Sequence, residues 1–384
     1  MNPIRTCKTK MKLASDLGLV NLVRRPHGVN VIGSKWVSAH KFDEHGNIVR
    51  YNARLVALGC LQTRGVDYYY TYSPVASTYT ICVFLAVCCC KRLKIKLFDV
   101  ETAFLNGTLG ESVYMAVPQG IRADGGLACK LRRSLYGLKQ AAAVWFKTIR
   151  ASFVEMGFVH CRADPCLFVR LGKNGQSPVY IFLYVDDLLV GCATDAEADE
   201  IRDALSSRFT VKSLGDARFV LGMEIEDPMV LGQGFAPDDS HDEIDGARGY
   251  RELIGSLLIR QNTVALSSAE AEYMALALST QEVLWLRYPL VEMGLKAEGP
   301  TTLQLANKSA IAMATNHGYT PRAKHIDLRA HFVRDHVEVG RIKLKHVPTK
   351  DQLADFLTKA MPTPRLMQLC DASGVVDVQV EGEC

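Results

Sequence analysis

The sequence predicts an α+β fold built in more than one body, and three observations carry that prediction. The run Val179-Tyr180-Ile181-Phe182-Leu183-Tyr184-Val185-Asp186-Asp187-Leu188-Leu189-Val190 is β-branched and aromatic on both sides of two adjacent carboxylates, which reads as strand, tight turn, strand. Further strand-like runs, Val31–Val37 and one opening at Ile95, flank an apolar block over 78–92 that reads as a buried helix. A helical apolar spacing then follows Val264 and continues through Trp285-Leu286, beyond a stretch, 224–247, with eight acidic residues and no Lys or Arg. A chain of 384 residues can hold two or three domains, each with its own core.

Hydrophobic content of 48% and charged content of 22% are ordinary for a globular protein. The net charge of +4 is too mild to define a nucleic-acid partner, but residues 1–60 carry ten Lys/Arg against three Asp/Glu. Such a bias suits a phosphate-facing surface, although a solvated basic face is its commoner cause. The 12 Cys include the triplet Cys88-Cys89-Cys90 and the pair Cys161-x4-Cys166, yet no CxxC and no matching Cys/His pair. They read as reduced thiols and not as zinc ligands or a disulfide framework. No secretory signal is visible, and the uncharged run Tyr79–Cys90 is too short to span a bilayer. The expected location is intracellular, in a cytoplasmic particle or the nucleus.

Taken in order, residues 1–30 are basic and carry no pattern. Val31–Val37 and the segment after it read as a hairpin with Gly46-Asn47 at the bend, followed by Arg50-Tyr51-Asn52-Ala53-Arg54-Leu55-Val56-Ala57-Leu58-Gly59. A strand projecting Arg54 from a basic hairpin could grip a polyphosphate, since the guanidinium fork matches phosphate oxygens. An edge hairpin with ordinary surface charge is the structural alternative. Val66–Ala76 is an aromatic loop with a turn at Ser73-Pro74. In Ile95-Lys96-Leu97-Phe98-Asp99-Val100, Asp99 is again a carboxylate in apolar company. A lone Asp there could cap a helix. Together with Asp186 and Asp187 it supplies the three carboxylates on neighbouring strands that a two-metal site requires, because buried anions need a compensating cation and hard cations prefer oxygen.

These segments carry a resemblance. Leu97–Gly107, Ser134-Leu135-Tyr136-Gly137-Leu138-Lys139-Gln140 and Tyr184-Val185-Asp186-Asp187 resemble three successive catalytic motifs of copia-type retrotransposon reverse transcriptases. Ala53–Ala57, Tyr72–Ala76 and Val220–Ile225 are similar to three more, the last being the segment that grips the primer end. The resemblance implies right-hand polymerase fingers and palm, and an enzyme that extends a DNA primer on an RNA or DNA template with deoxynucleoside triphosphates. It implies Asp99, Asp186 and Asp187 as catalytic metal ligands for two Mg²⁺ ions, with Mn²⁺ as a substitute. It also implies Arg54 against the triphosphate, Phe104 as an aromatic under the sugar that excludes a 2′-OH, and Gln140 against nucleotide and template. Core packing for Phe104 and a helix-surface amide for Gln140 are the structural alternatives. The chain departs from the family at Asn52 and Leu58, where Lys is usual, and at Ala142-Ala143, where Pro-Arg is usual before Trp145. Fewer cations weaken nucleotide or template contacts.

The second half resembles the ribonuclease H domain that follows the polymerase in these elements. Val264–Leu278, Thr301–Thr315, Lys324–Arg329 and Val347–Asp355 carry that likeness. Such a domain holds two metals on about four carboxylates. Glu270 and Asp355 fit two of those positions. The first has no counterpart, and the third is replaced in Leu305-Ala306-Asn307-Lys308-Ser309-Ala310. Two ligands cannot hold two divalent ions well, so this part is expected to be inactive as a nuclease. His325, His331 and His336 read as surface and packing residues. Gly249–Leu258 runs directly into Arg260–Ser267, segments that lie far apart in the family, and the thumb is reduced or missing. The expected divisions are an N-terminal basic segment (1–30), fingers and palm (31–226), an acidic linker with a thumb remnant (227–259), a truncated ribonuclease H-like domain (260–375) and a tail (376–384). Two functional classes compete: an RNA-directed DNA polymerase, and a decayed remnant that at most binds nucleic acid.

Overall fold

The structure, a computed structural model, describes residues 20–42, 48–119, 126–172, 176–221, 223–225, 268–295, 299–315, 327–353 and 361–372. The chain forms two compact units, Met1–Ile225 and Glu226–Cys384. The expected hairpin bend at Gly46-Asn47, the acidic linker and the tail lie outside the described residues.

The first unit is mixed α/β. In chain order it comprises β1 (Val20–Arg24), β2 (Val31–Ile32), β3 (Ser34–Phe42), β4 (Ile48–Ala57), α1 (Thr78–Cys90), β5 (Lys94–Val100), β6 (Thr108–Ala116) and β7 (Leu127–Arg133). There follow α2 (Ala141–Glu155), β8 (Val159–His160), β9 (Leu167–Arg170), β10 (Val179–Tyr184), β11 (Asp187–Cys192), α3 (Asp195–Ser206), β12 (Val211–Asp216), β13 (Phe219–Val220) and β14 (Met223–Glu224). The central sheet has six strands in the order β12-β5-β11-β10-β9-β8, all antiparallel. A second sheet has the order β1-β7-β6-β2, and β3 and β4 form a long hairpin.

Both faces of the central sheet are covered, which explains why its strands are apolar without alternation. On one face Phe98, Leu183, Leu188 and Val190 pack with Trp145, Ile149 and Phe153 of α2 and with Ile201 and Leu205 of α3. On the other, Phe84 of α1 meets Phe182 with ring centroids 5.9 Å apart. There α1 comes so close to β11 that a Cβ on Gly191 would stand 2.5 Å from Cys88 Sγ. The Cys triplet therefore serves partly as small apolar filling, and burial raises the Cys88 thiol far above its ordinary range. Caps fix the helix starts. The Ser77 hydroxyl accepts from the Tyr79 N–H, and Thr194 and Glu197 form a capping box on α3.

Two expectations need correction. Val20–Arg24 falls in the segment read as patternless, yet its burial alternates and it pairs with β7 as an edge strand. The run Val31–Val37 is not one strand: it breaks at Gly33, whose carbonyl accepts from Leu58 N–H at 2.9 Å and where a Cβ would stand 2.8 Å from the Leu58 side chain.

The second unit contains α4 (Ser268–Glu292), β15 (Thr301–Leu305), α5 (Lys308–Thr315), α6 (Asp327–Glu338), β16 (Ile342–His346) and α7 (Thr363–Ala372). β15 and β16 pair in parallel, as a connection through helices requires. Asn307 caps α5 by accepting from the N–H groups of Ser309 and Ala310. No helix among the described residues is long and apolar enough to cross a membrane.

Candidate active site

Register assembles the site. Asp187 opens β11 and lies directly opposite Asp99 near the end of β5, so the two side chains leave the same face of the sheet as neighbours. Tyr184 pairs with Asp187, which leaves Val185 and Asp186 as a two-residue loop. Val185 has φ +56° and Asp186 is not in that region, the pattern of a type II′ turn. Glycine normally fills the first central position. A β-branched residue there carries strain of about 1–3 kcal/mol. The turn is held from two sides. The Trp145 indole N–H donates to the Val185 carbonyl at 2.6 Å, and the Val100 N–H donates to the Asp186 carbonyl at 2.9 Å.

The electrostatics follow from this crowding of anions. Burial raises the Asp187 carboxyl to about 6, with the Asp186 and Asp99 charges adding to the rise. Asp186 is also raised, chiefly by burial and then by Asp99, while a backbone hydrogen bond and Arg54 oppose the rise. A half-buried trio of this kind is short of positive charge. Among the described residues, no three His, Cys, Asp or Glu side chains converge closely enough to hold a metal ion. The donor chemistry and strand register suit a hard divalent cation. The carboxylates themselves would have to draw closer together to bind one.

Arg54 and Phe104 meet on Tyr136. The Arg54 guanidinium lies 5.5 Å from the Tyr136 ring centroid, and Phe104 meets that ring edge-on at 5.1 Å. Arg54, Asp186 and Asp99 all act on the Tyr136 hydroxyl, whose pKa burial raises. The contact depends on glycines. A Cβ on Gly137 would stand 2.2 Å from the Ala57 carbonyl, and one on Gly59 would stand 2.1 Å from the Gly137 carbonyl. The Ala57 N–H donates to the Tyr136 carbonyl at 2.8 Å. Strand β4 and the 134–140 loop therefore lock together, and Arg54 is carried to Tyr136. Sequence reasoning missed Tyr136 as a site residue. The signal was Gly137 beside an aromatic, but its partner lies on a distant strand.

Gln140 is placed differently from the other predicted residues. It is 1% exposed, donates to the Asp67 carbonyl at 2.9 Å and accepts from Gln62 Nε2 at 3.0 Å. Gln62 in turn accepts from the Lys139 N–H at 2.8 Å, so the amide pair ties the aromatic loop to the start of α2. An apolar cavity opens beside the turn, walled by Pro74, Phe104, Ala142, Trp145, Phe146 and Val185.

In the second unit Glu270 stands in the first turn of α4 and is 6% exposed. Asp355 and His325 lie outside the described residues. His331 is exposed, and His336 packs edge-on against Phe332 at 4.7 Å. Ala306 stands between β15 and α5, where a ligating carboxylate was sought.

Three carboxylates at a strand end and the facing turn, beside an arginine and an edge-on aromatic pair, define a candidate centre for phosphate chemistry. Residues 18–230, more than half the chain, match the family described as reverse transcriptase (RNA-dependent DNA polymerase). The chain belongs to that family. It is 28% identical to the retrovirus-related Pol polyprotein from transposon RE2 of Arabidopsis thaliana, over 92% of this chain and 32% of that protein. It is 26% identical to the Pol polyprotein from transposon TNT 1-94 of Nicotiana tabacum, over 96% of this chain and 37% of that protein. A putative transposon Ty5-1 protein of Saccharomyces cerevisiae is 34% identical over 33% of this chain. The similarity to copia-type Pol polyproteins thus covers most of the chain, while the chain spans about a third of the RE2 and TNT 1-94 proteins. The alignment with the RE2 protein runs over 476 residues, more than the 384 of this chain, so that relative carries stretches with no counterpart here.

Proposed function

We propose that the first unit is a template-directed DNA polymerase, with the central sheet as palm and the β3–β4 hairpin as part of the fingers. The observation that carries this reading is the register pairing of Asp99 with Asp187 beside the Asp186 turn. Asp99, Asp186 and Asp187 would hold divalent ions, Mg²⁺ or Mn²⁺. Such ions, when bound, activate a primer 3′-hydroxyl and offset charge on a triphosphate. The remaining work falls to side chains of this chain. Arg54, exposed and stacked on Tyr136, offers its guanidinium fork to phosphate oxygens. Phe104, braced by the same ring, would form the flat wall that excludes a ribose 2′-OH. Gln140 acts through the Gln62 bond to hold the loop at the site and does not itself face the nucleotide. The partners are an RNA or DNA template with its DNA primer and deoxynucleoside triphosphates.

The second unit is read as a ribonuclease H-like remnant without nuclease activity, because Ala306 offers no ligand. A wider loss is the second reading: a chain that no longer extends primers. The stretches missing against the RE2 protein favour it, since a polymerase needs elements that grip the duplex beyond the palm. Primer extension on poly(rA) with oligo(dT), in Mg²⁺ or Mn²⁺, separates the two. The polymerase reading expects incorporation by the full chain and none by Asp186→Asn. Equal incorporation by both, or none by either, leaves the remnant.

A further inference from the structure

The Val185-Asp186 turn raises a question that the carboxylates do not answer. Val185 is a poor residue for φ +56°, and a free turn of this sequence would relax by rotating the Val185 peptide. That rotation would swing Asp186, the next residue, away from Asp99. The Val185 carbonyl is held by a short bond from a side chain that cannot easily follow it: Trp145 is 2% exposed. Its ring stands edge-on to Phe209 at 5.4 Å, and its helix α2 packs across the central sheet. The cavity wall shared by Trp145, Phe104 and Val185 is mostly apolar, a setting in which such a hydrogen bond is strengthened.

We infer that Trp145 is a positioning residue for the metal site: its indole N–H fixes the strained Val185 peptide and so holds Asp186 beside the Asp99–Asp187 pair. This rests on the polymerase reading only for its activity readout. A buried tryptophan can have two roles. As core filling, Trp145 would matter for stability alone. As a clamp, it would matter through its one polar atom, and the need for it would vanish if position 185 could take positive φ unaided.

The test uses the full chain and Mn²⁺ as probe. Calorimetry or electron paramagnetic resonance gives Mn²⁺ affinity, with Asp186→Asn to identify binding at this site. Trp145→Phe is expected to weaken that binding about 10- to 100-fold, as loss of a group orienting a ligand does. In primer extension it should lower kcat at saturating nucleotide with little change in KM for nucleotide. Adding Val185→Gly to Trp145→Phe should restore most of the Mn²⁺ affinity without restoring the thermal midpoint. Should Trp145→Phe fail to fold, benzothienylalanine at position 145 carries the same test, since it keeps both rings and lacks only the donor. Unchanged Mn²⁺ affinity in the donor-free protein overturns the inference, as does a loss that Val185→Gly does not relieve. Absence of Asp186-dependent Mn²⁺ binding in the unaltered protein overturns it too. A protein that binds Mn²⁺ through Asp186, loses that binding with the Trp145 donor and yet extends no primer upholds the clamp and defeats the polymerase reading.

Discussion

The two units keep their acidic residues in different ways. In the first, Asp99 and Asp187 face each other on two hydrogen-bonded strands and Asp186 stands in the turn just before Asp187, so one register and one turn fix all three. In the second, Glu270 sits at the start of a long helix, and the β15–α5 junction, proposed above to have lost a ligand, carries Ala306. A centre written into a sheet buried on both faces depends on few elements and survives changes elsewhere. One spread over a helix, a strand end and later segments fails when any contributor is lost. Asp186→Asn should therefore reduce primer extension by at least about 1000-fold, the scale of removing a metal ligand at a charge-stabilising centre. Glu270→Gln should leave extension unchanged. Cleavage of an RNA–DNA hybrid should be undetectable with or without Glu270. Hybrid cleavage that Glu270→Gln abolishes would erase the contrast between the units.

A smaller effect tests how the first unit surrounds its carboxylates. Phe104→Ala removes the ring that meets Tyr136 edge-on and lines the cavity by the turn. Preference for deoxynucleoside over ribonucleoside triphosphates should fall about 10- to 100-fold, the range for opening space around one substituent. The measurement is kcat/KM for each nucleotide. Because Tyr136 also carries Arg54, KM for the deoxynucleotide should rise as well. An unchanged preference would make Phe104 a packing residue.

The contrast in legibility follows the same line. The carboxylates were readable because each lies in a short, contiguous motif with a strong apolar frame, and the hairpin at 184–187 was readable from its strand–turn–strand pattern. Tyr136 was not readable, because its role arises only when Gly137 lets its loop press on Ala57, a contact made far along the chain. Gln140 could be placed near the site but not oriented, since its amide is claimed by Asp67 and Gln62 in a loop without regular structure. Trp145 was visible as a motif residue, while its bond to Val185 depends on how a helix crosses a sheet. The edge strand Val20–Arg24 was lost for another reason: five residues with half-buried alternation give too little signal.

Packing under the site gives the next test. Gly191 lies on β11, four residues beyond Asp187, against Cys88. Gly191→Ala should destabilise the first unit by about 1–3 kcal/mol through overpacking. Cys88→Ala should restore much of it by removing the sulfur that the new methyl meets. Denaturant midpoints of the single and double variants measure this. Additive losses would mean that α1 does not bear on β11 as described. No matching effect is expected from Ala306→Asp in the second unit, where a carboxylate would replace a methyl at a half-exposed position.

The smallest effect concerns charge. In the folded protein burial and the neighbouring carboxylates raise Asp187 from 3.8 to about 6, so its ionised form is disfavoured by folding. Its contribution is fully present below about pH 4 and is lost as pH rises through 6. Asp187→Asn removes that penalty. In metal-free buffer the variant should be more stable than the parent at pH 8, by on the order of 1 kcal/mol once solvent screening of this half-exposed group is allowed for. The advantage should shrink as pH falls through 6 and vanish near pH 4. Excess Mg²⁺ should reverse the order at pH 8, because a bound cation stabilises the parent and not the variant. A pH-independent gain would place the cause in shape rather than charge. A gain that persists in excess Mg²⁺ would show that the carboxylates of the first unit do not gather a cation.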